Sequence, residues 1–367
     1  MEIKGKISHS QAGLLIFGSS LGNIIYTFPQ VTVVTGRAFW VAVLLGVLLN
    51  IPFAVWILFL GSYKQGGTLF DLLEDGLGKL ICKCAVLIYY LLNIAIVVCM
   101  LNMFGMTAKM FFLPNTPIFY IILLIVFMCA VFVNSGIKYF ARLLALLSLL
   151  APLNYFAGFS MSFVNEFNMD YVTPIFDSSF SQFAKGVMMA AGNNAECLLF
   201  LFVVVSTIPQ TKKHYLAVIK GILAWSLVLS SAILIMEGCV GQELLSSVAG
   251  AGVTIAGIIQ IGSFVRGLET FVLMTYQYCV IIKTTILLYC CWISSKKLFN
   301  VPQGKPLLIL SALAILAASS WMNSYNTGYF LSIFLGNYVI LPFVTIILLL
   351  CTLSVFIEKK REGKPVK

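Results

Sequence analysis

The 367 residues are 60% apolar and only 10% charged, with a net charge of +10; a soluble domain carries about 25% charged residues. With a mean hydropathy of +1.02, this excludes an ordinary water-soluble enzyme, a disordered chain and a disulfide-stapled scaffold. What remains is an all-α polytopic membrane protein, with room for about ten spans of ~20 residues each. The aromatic residues sit inside apolar runs, not among the basic ones, which argues against nucleic-acid binding. Cys82/Cys84 and Cys290/Cys291 have no second pair at zinc-like spacing, so neither metal nor cofactor is expected. His9 and His214 are the only histidines. No triad, metal motif or phosphate loop appears, so no enzyme is expected. The run after the polar first residues has no small-residue cleavage site, so a cleavable leader is not expected.

Taken in chain order between Gly, Pro and polar breakers, the apolar runs predict ten transmembrane helices. Their limits are 10–29, 38–60, 80–106, 117–133, 140–164, 183–208, 216–236, 262–294, 306–322 and 330–357. The stretch 238–257 is broken by Gly238, Gly241, Gly250, Gly252 and Gly257 and carries Glu243; it reads as an interfacial or re-entrant loop. One face collects both termini and the loops after even-numbered spans. It holds 18 of the 23 Lys and Arg residues, against 4 on the other face (Arg37, Lys109, Lys185, Arg266) and Lys283 alone within a span. That asymmetry predicts cytoplasmic termini. The basic tail 358–367 is expected to lie against anionic membrane lipid.

Two spans are interrupted. Gly18-Ser19-Ser20-Leu21-Gly22-Asn23 lies inside span one, and Ala190-Ala191-Gly192-Asn193-Asn194-Ala195-Glu196 lies inside span six. Glycine is a poor helix former, and Ser and Asn compete for backbone hydrogen bonds. The segment around Gly18 and Gly22 reads either as a small-residue packing face or as an unwound stretch facing a cavity. Polar residues at mid-membrane cannot face lipid, since an acidic one costs about 2.5–3.5 kcal/mol there. The breaks open each set of five helices. That is the sign of a five-plus-five inverted repeat, 10–164 and 183–357, with a ligand site at the interface. Free half-helix ends suit a carboxylate at one side and an amine at the other. Gly18, Ser19, Ser20, Gly22, Asn23, Gly192, Asn193, Asn194 and Glu196 are the candidate ligand residues, and a sugar or nucleoside remains open beside an amino acid.

Further residues carry a resemblance. Ile7-Ser8-His9-Ser10-Gln11-Ala12 opens span one, and Leu21-Gly22 leads to Pro29. Thr68-Leu69-Phe70-Asp71-Leu72-Leu73-Glu74-Asp75-Gly76-Leu77-Gly78-Lys79 joins spans two and three, and Thr116-Pro117 precedes span four. Glu196, Pro209 with Lys212-Lys213, and Leu268-Glu269-Thr270-Phe271 follow. Together they resemble the permease-like B subunit of spore germinant receptors, a branch of the amino acid–polyamine–organocation transporter superfamily. The resemblance implies a ten-helix fold of the leucine-transporter type, a place in the spore inner membrane, nutrient sensing, and A-type and C-type partner subunits. The spacing of Gly18 and Gly22 departs from the Gly-x-Gly of many superfamily members.

Three ionisable residues lie in the predicted spans. Glu269, Tyr276 and Lys283 are spaced by sevens on one face of span eight, flanked by Gln277 and Thr284, and are candidate gate or coupling residues. Glu269 pairs with Arg266 at the interface, or acts as a gate or amine contact. Glu196 is a hydrogen-bonded neutral carboxyl, a ligand contact or a proton site. Lys283 snorkels to the interface, or is a fixed cation standing where some relatives of the fold bind sodium. Glu237 reads as interfacial. Three functions share these features: a germinant-receptor subunit binding a small nutrient, an amino acid:proton symporter, and a scaffold with a vestigial pocket.

Overall fold

The computed structural model describes residues 7–25, 28–64, 66–209, 211–247, 269–301, 304–322 and 324–361, apart from the side chains at 24–25, 28–30, 158–166, 246–247, 269 and 361. Among the described residues all regular structure is helical. Span one is α1 (His9–Leu21), a 3-10 turn (Gly22–Ile25) and α2 (Phe28–Thr35). Span two is α3 (Phe39–Leu48) with α4 (Asn50–Gly61). A short helix α5 (Leu69–Leu77) leads into α6 (Lys79–Phe111), α7 (Ile118–Asn134) and α8 (Ile137–Glu166). Span six is α9 (Phe180–Asn193) and α10 (Glu196–Val204), and α11 (Lys212–Ser247) follows. The chain closes with α12 (Glu269–Phe299), α13 (Lys305–Trp321), α14 (Tyr325–Phe334), a π-helical turn (Leu335–Ile340) and α15 (Leu341–Arg361).

Local sequence explains the helix starts. Ser8 with Gln11, Thr68 with Asp71 and Ser179 with Gln182 form capping boxes at α1, α5 and α9. Each satisfies amide groups that a helix start leaves open. Among the described residues, seven helical stretches are long and apolar enough to cross a membrane, and Ile118–Asn134 and Lys305–Trp321 are shorter apolar helices. The protein is a multi-pass membrane protein. Its outer face is dressed with exposed Leu, Phe and Ile, while α12 runs through the interior against α6, α8, α7 and α1.

One expectation is corrected here. Beyond Gly238 the chain is helical, not a loop, as far as Ser247, but α11 is two helical pieces that meet at a kink at Gly241, which takes φ 75° and ψ 165°. Without a Cβ, glycine adopts this conformation at no steric cost, so the first piece stops there and the second starts across the kink. The remainder of the expected loop, 248–257, lies outside the described residues. The tail beginning at 358 is helical as far as Arg361.

Candidate functional site

The break in span one begins at Gly22, not at Gly18. Gly18, Ser19 and Ser20 all lie within α1. The Ser19 and Ser20 hydroxyls both donate to the Ile16 carbonyl, at 2.8 and 3.3 Å, so they spend their donors on their own helix. A Cβ on Gly18 would collide with the Ser148 hydroxyl and meet Ile282 at 3.0 Å. Gly18 is thus a close-packing position against α8 and α12. At Gly22 the backbone tightens into the 3-10 turn that carries Asn23. Residues 26–27 lie outside the description. Span six is broken as expected, α9 ending at Asn193 and α10 starting at Glu196.

The two breaks are tied to each other by side chains. The Asn23 amide donates to Asn194 Oδ1 at 3.2 Å, and Trp225 Nε1 of α11 donates to the same oxygen at 2.9 Å. Lys283 of α12 donates its ammonium to Asn23 Oδ1 and forms an ion pair with Glu196 Oε2. The Lys283 and Glu196 side chains are 1% and 5% exposed. Four spans therefore meet in one polar chain running Trp225, Asn194, Asn23, Lys283, Glu196. Burial of either charge alone is prohibitive, and pairing with further hydrogen bonds makes it tolerable. This geometry overturns the snorkelling reading of Lys283 and gives the Glu196 carboxyl a lysine as its partner. The sequence separation of 171 between Asn23 and Asn194 explains why no local pattern announced the contact.

The carbonyls that the span-six break releases are largely used within the protein. Ala190 O accepts from both the backbone and the side-chain amide of Asn194, at 3.2 and 2.8 Å. Ala191 O accepts from Asn50 Nδ2 at 3.2 Å, and Gly192 O accepts from the Ala195 amide at 3.1 Å. Asn193 differs. It is fully buried, and among the described residues neither its amide nitrogen nor its oxygen has a hydrogen-bond partner. Gly192 faces the π-helical turn of the last span: a Cβ there would strike the Gly336 carbonyl, and one on Gly336 would strike Asn193 Oδ1.

The core of the site is filled by its own side chains. A Cβ on Gly22 would stand 2.7 Å from Lys283 Cδ and 3.2 Å from Met100 Sδ. The Lys283 side chain thus occupies the space that the missing glycine side chain leaves. Tyr276 is buried on the same helix as Lys283, as is Thr284, whereas Gln277 is exposed, so the polar face is narrower than its spacing suggested. The Glu269 side chain and Arg266 lie outside the described residues. Glu237, expected at the interface, is instead fully buried, and among the described residues neither carboxyl oxygen has a hydrogen-bond partner.

Sequence reasoning missed Trp225, Met100 and Asn50. Only Trp225 left a signal: an indole in an apolar span needs an acceptor for its N–H. It also missed a second charged cluster at the lysine-rich face. There Lys297, at the end of α12, pairs with Asp71 and, at 2.9 Å, with Glu74 Oε2, while Lys64 pairs with Asp75. Gly76 lies tight against the Ser354 backbone of α15. Burial pushes the Asp71 carboxyl up, but the Lys297 ammonium more than offsets this and holds it below its ordinary value. The loop between spans two and three is thus a helix clamped to the ends of α12 and α15.

Comparison with solved structures defines the class. A Na+-coupled sialic acid symporter in a substrate-bound outward-open state superposes with a TM-score of 0.64 at 14% identity, covering 96% of this chain and 79% of that one. A manganese transporter of Eremococcus coleocola, in complex with an aromatic bis-isothiourea compound, superposes with a TM-score of 0.60 at 12% identity, covering 95% and 82%. At such identities the likeness concerns the fold, which is that of the leucine-transporter type. No curated protein matches the chain. The model of a family described as spore germination protein matches residues 6–327. The chain belongs to that family.

Proposed function

We propose that this protein is the membrane subunit of a nutrient germinant receptor in the spore inner membrane, with ten crossings and both termini in the cytoplasm. It seats a small nutrient, an amino acid, between spans one, six and eight, and signals to A-type and C-type partner subunits. The observation that carries this reading is the buried Lys283–Glu196 pair where both broken helices lose regular backbone. An ammonium and a carboxylate facing each other are the mould of a zwitterion. An amino acid entering between them gives its carboxylate to Lys283 and its ammonium to Glu196, so neither protein charge is left unpaired. Asn193, whose donor and acceptor have no hydrogen-bond partner among the described residues, supplies further polar contact. Separating Lys283 from Glu196 moves span eight against spans one and six, and the partners read the shifted equilibrium. Because the cation is built in, sodium is not required.

The test uses spores and the purified full-length chain. Glu196→Gln and Lys283→Gln each raise the amino-acid concentration for half-maximal germination at least tenfold, and replacing sodium by potassium leaves the wild-type response unchanged. If Glu196→Gln and Asn193→Ala leave response and apparent affinity untouched, the pocket is vestigial and the chain is a scaffold. The second reading, an amino acid:proton symporter with Glu196 or Glu269 in the proton path, is favoured by the transporter fold. Saturable, proton-driven uptake of labelled amino acid into liposomes establishes it; binding without flux supports the receptor.

A further inference from the structure

On the lysine-rich face a cavity of about 170 Å³ opens between α5, the start of α6 and the end of α12. Its walls carry Lys79, Lys83 and Lys297 against a single carboxylate, Glu74, with Cys82 and Asn300 completing the polar part. Lys297 is already committed to Asp71 and Glu74. Lys79 and Lys83 are exposed, and among the described residues neither takes part in an ion pair. They lie one turn apart on α6 and leave a local excess of positive charge.

The surroundings of this cavity are apolar and exposed. Leu80, Leu87 and Leu91 form a stripe along the outer face of α6, with exposures of 77%, 43% and 56%, and Lys83 borders it. On the other side Phe299 and Val301, 58% and 38% exposed, flank Asn300. A polar, cationic hollow at the water-facing end of a lipid-facing stripe matches one kind of molecule: an anionic head joined to hydrocarbon. Basic pockets between spanning helices hold phosphate head groups in this way.

We propose that this cavity is a binding site for an anionic phospholipid, its phosphate held by Lys79 and Lys83 and its acyl chains lying along Leu87 and Leu91. The lipid sits against the Glu74–Lys297 clamp. The site is separate from the broken-helix centre and does not depend on the nutrient reading.

The test is native mass spectrometry of the full-length chain in detergent, titrated with phosphatidylglycerol or with phosphatidylcholine of the same acyl composition. The expected result is a bound phosphatidylglycerol retained about tenfold more strongly than phosphatidylcholine. Lys79→Gln with Lys83→Gln removes that preference, and Lys109→Gln on the opposite face leaves it intact. Both lysines of the double variant are exposed, and monodisperse elution with unchanged melting shows that it is folded. Equal retention of the two lipids overturns the proposal, as does a double variant that keeps the preference. If inorganic phosphate at millimolar concentration displaces the lipid and protects the protein from heat equally well, the site is one for free phosphate and the lipid assignment fails.

Discussion

One helix, α12, carries two lysines that hold acidic partners in opposite ways. Lys283 is buried with Glu196 in the middle of the bundle, while Lys297, 14 residues or about 21 Å further along, grips Asp71 and Glu74 at the lysine-rich rim. The rim lysine is 13% exposed, Asp71 9% and Glu74 33%, against 1% and 5% in the central pair. Water reaches the rim cluster chiefly at Glu74 and screens it in part, so it works as a fastening of modest strength. No water relieves the central pair, so each charge depends on the other. The same chemistry is therefore a clamp at one end of the helix and a closed, mutually dependent pair in the middle.

The sharpest way to break that contrast is to remove one central charge. Lys283→Met is expected to cost about 3–5 kcal/mol, read as a large drop in the melting temperature of the detergent-purified protein. Lys283→Met combined with Glu196→Gln recovers most of it, because no unpaired charge then remains buried. If the single and double variants melt alike, the central pair is not the coupled unit described.

Next in size is the hydrogen-bonded extension of that pair. Trp225→Phe deletes one of the donors to Asn194 Oδ1 and is expected to cost about 1 kcal/mol, with a matching loss in melting temperature. Lys297→Ala at the rim is expected to cost about 1 kcal/mol or less at neutral pH. Its pH dependence follows from Asp71, whose carboxyl is held below its ordinary value when folded. Asp71 therefore contributes stability above the usual carboxylate range, and this is lost as pH falls through the lowered folded value. The melting difference between wild type and Lys297→Ala shrinks as the pH is lowered from 7 toward 3; a gap independent of pH contradicts the pairing. The smallest effect is expected at Glu237. Among the described residues its carboxyl oxygens make no hydrogen bond, so the near-isosteric Glu237→Gln breaks no pair there and is expected to change stability by less than about 1 kcal/mol.

Both helix breaks were legible because glycine and asparagine are costly in a helix interior and stand out in an apolar run. Their true extent was not. Ser19 and Ser20 look like breakers in a list of residues, yet a hydroxyl satisfied by a carbonyl one turn back leaves the helix intact. Spacing alone put Lys283 on the inner face of its span with Tyr276. It did not name Glu196 as partner, since the pairing depends on how spans six and eight cross. Glu237 illustrates the converse, a residue near a span end that packing buries completely. The Asp71–Glu74 segment was conspicuous as a family signature, but its work as a clamp became visible only once α12 and α15 were placed beside it.

The contact between Gly192 and Gly336 has a mechanical consequence. Where two backbones touch with no side chain between them, neither can slide without pushing the other. The first half of span six and the π-turn of the last span are geared together, so a tilt of one also drives the other. A methyl group at either glycine is a wedge in the gear teeth: Gly336→Ala would hold the two apart and bias the bundle toward one posture.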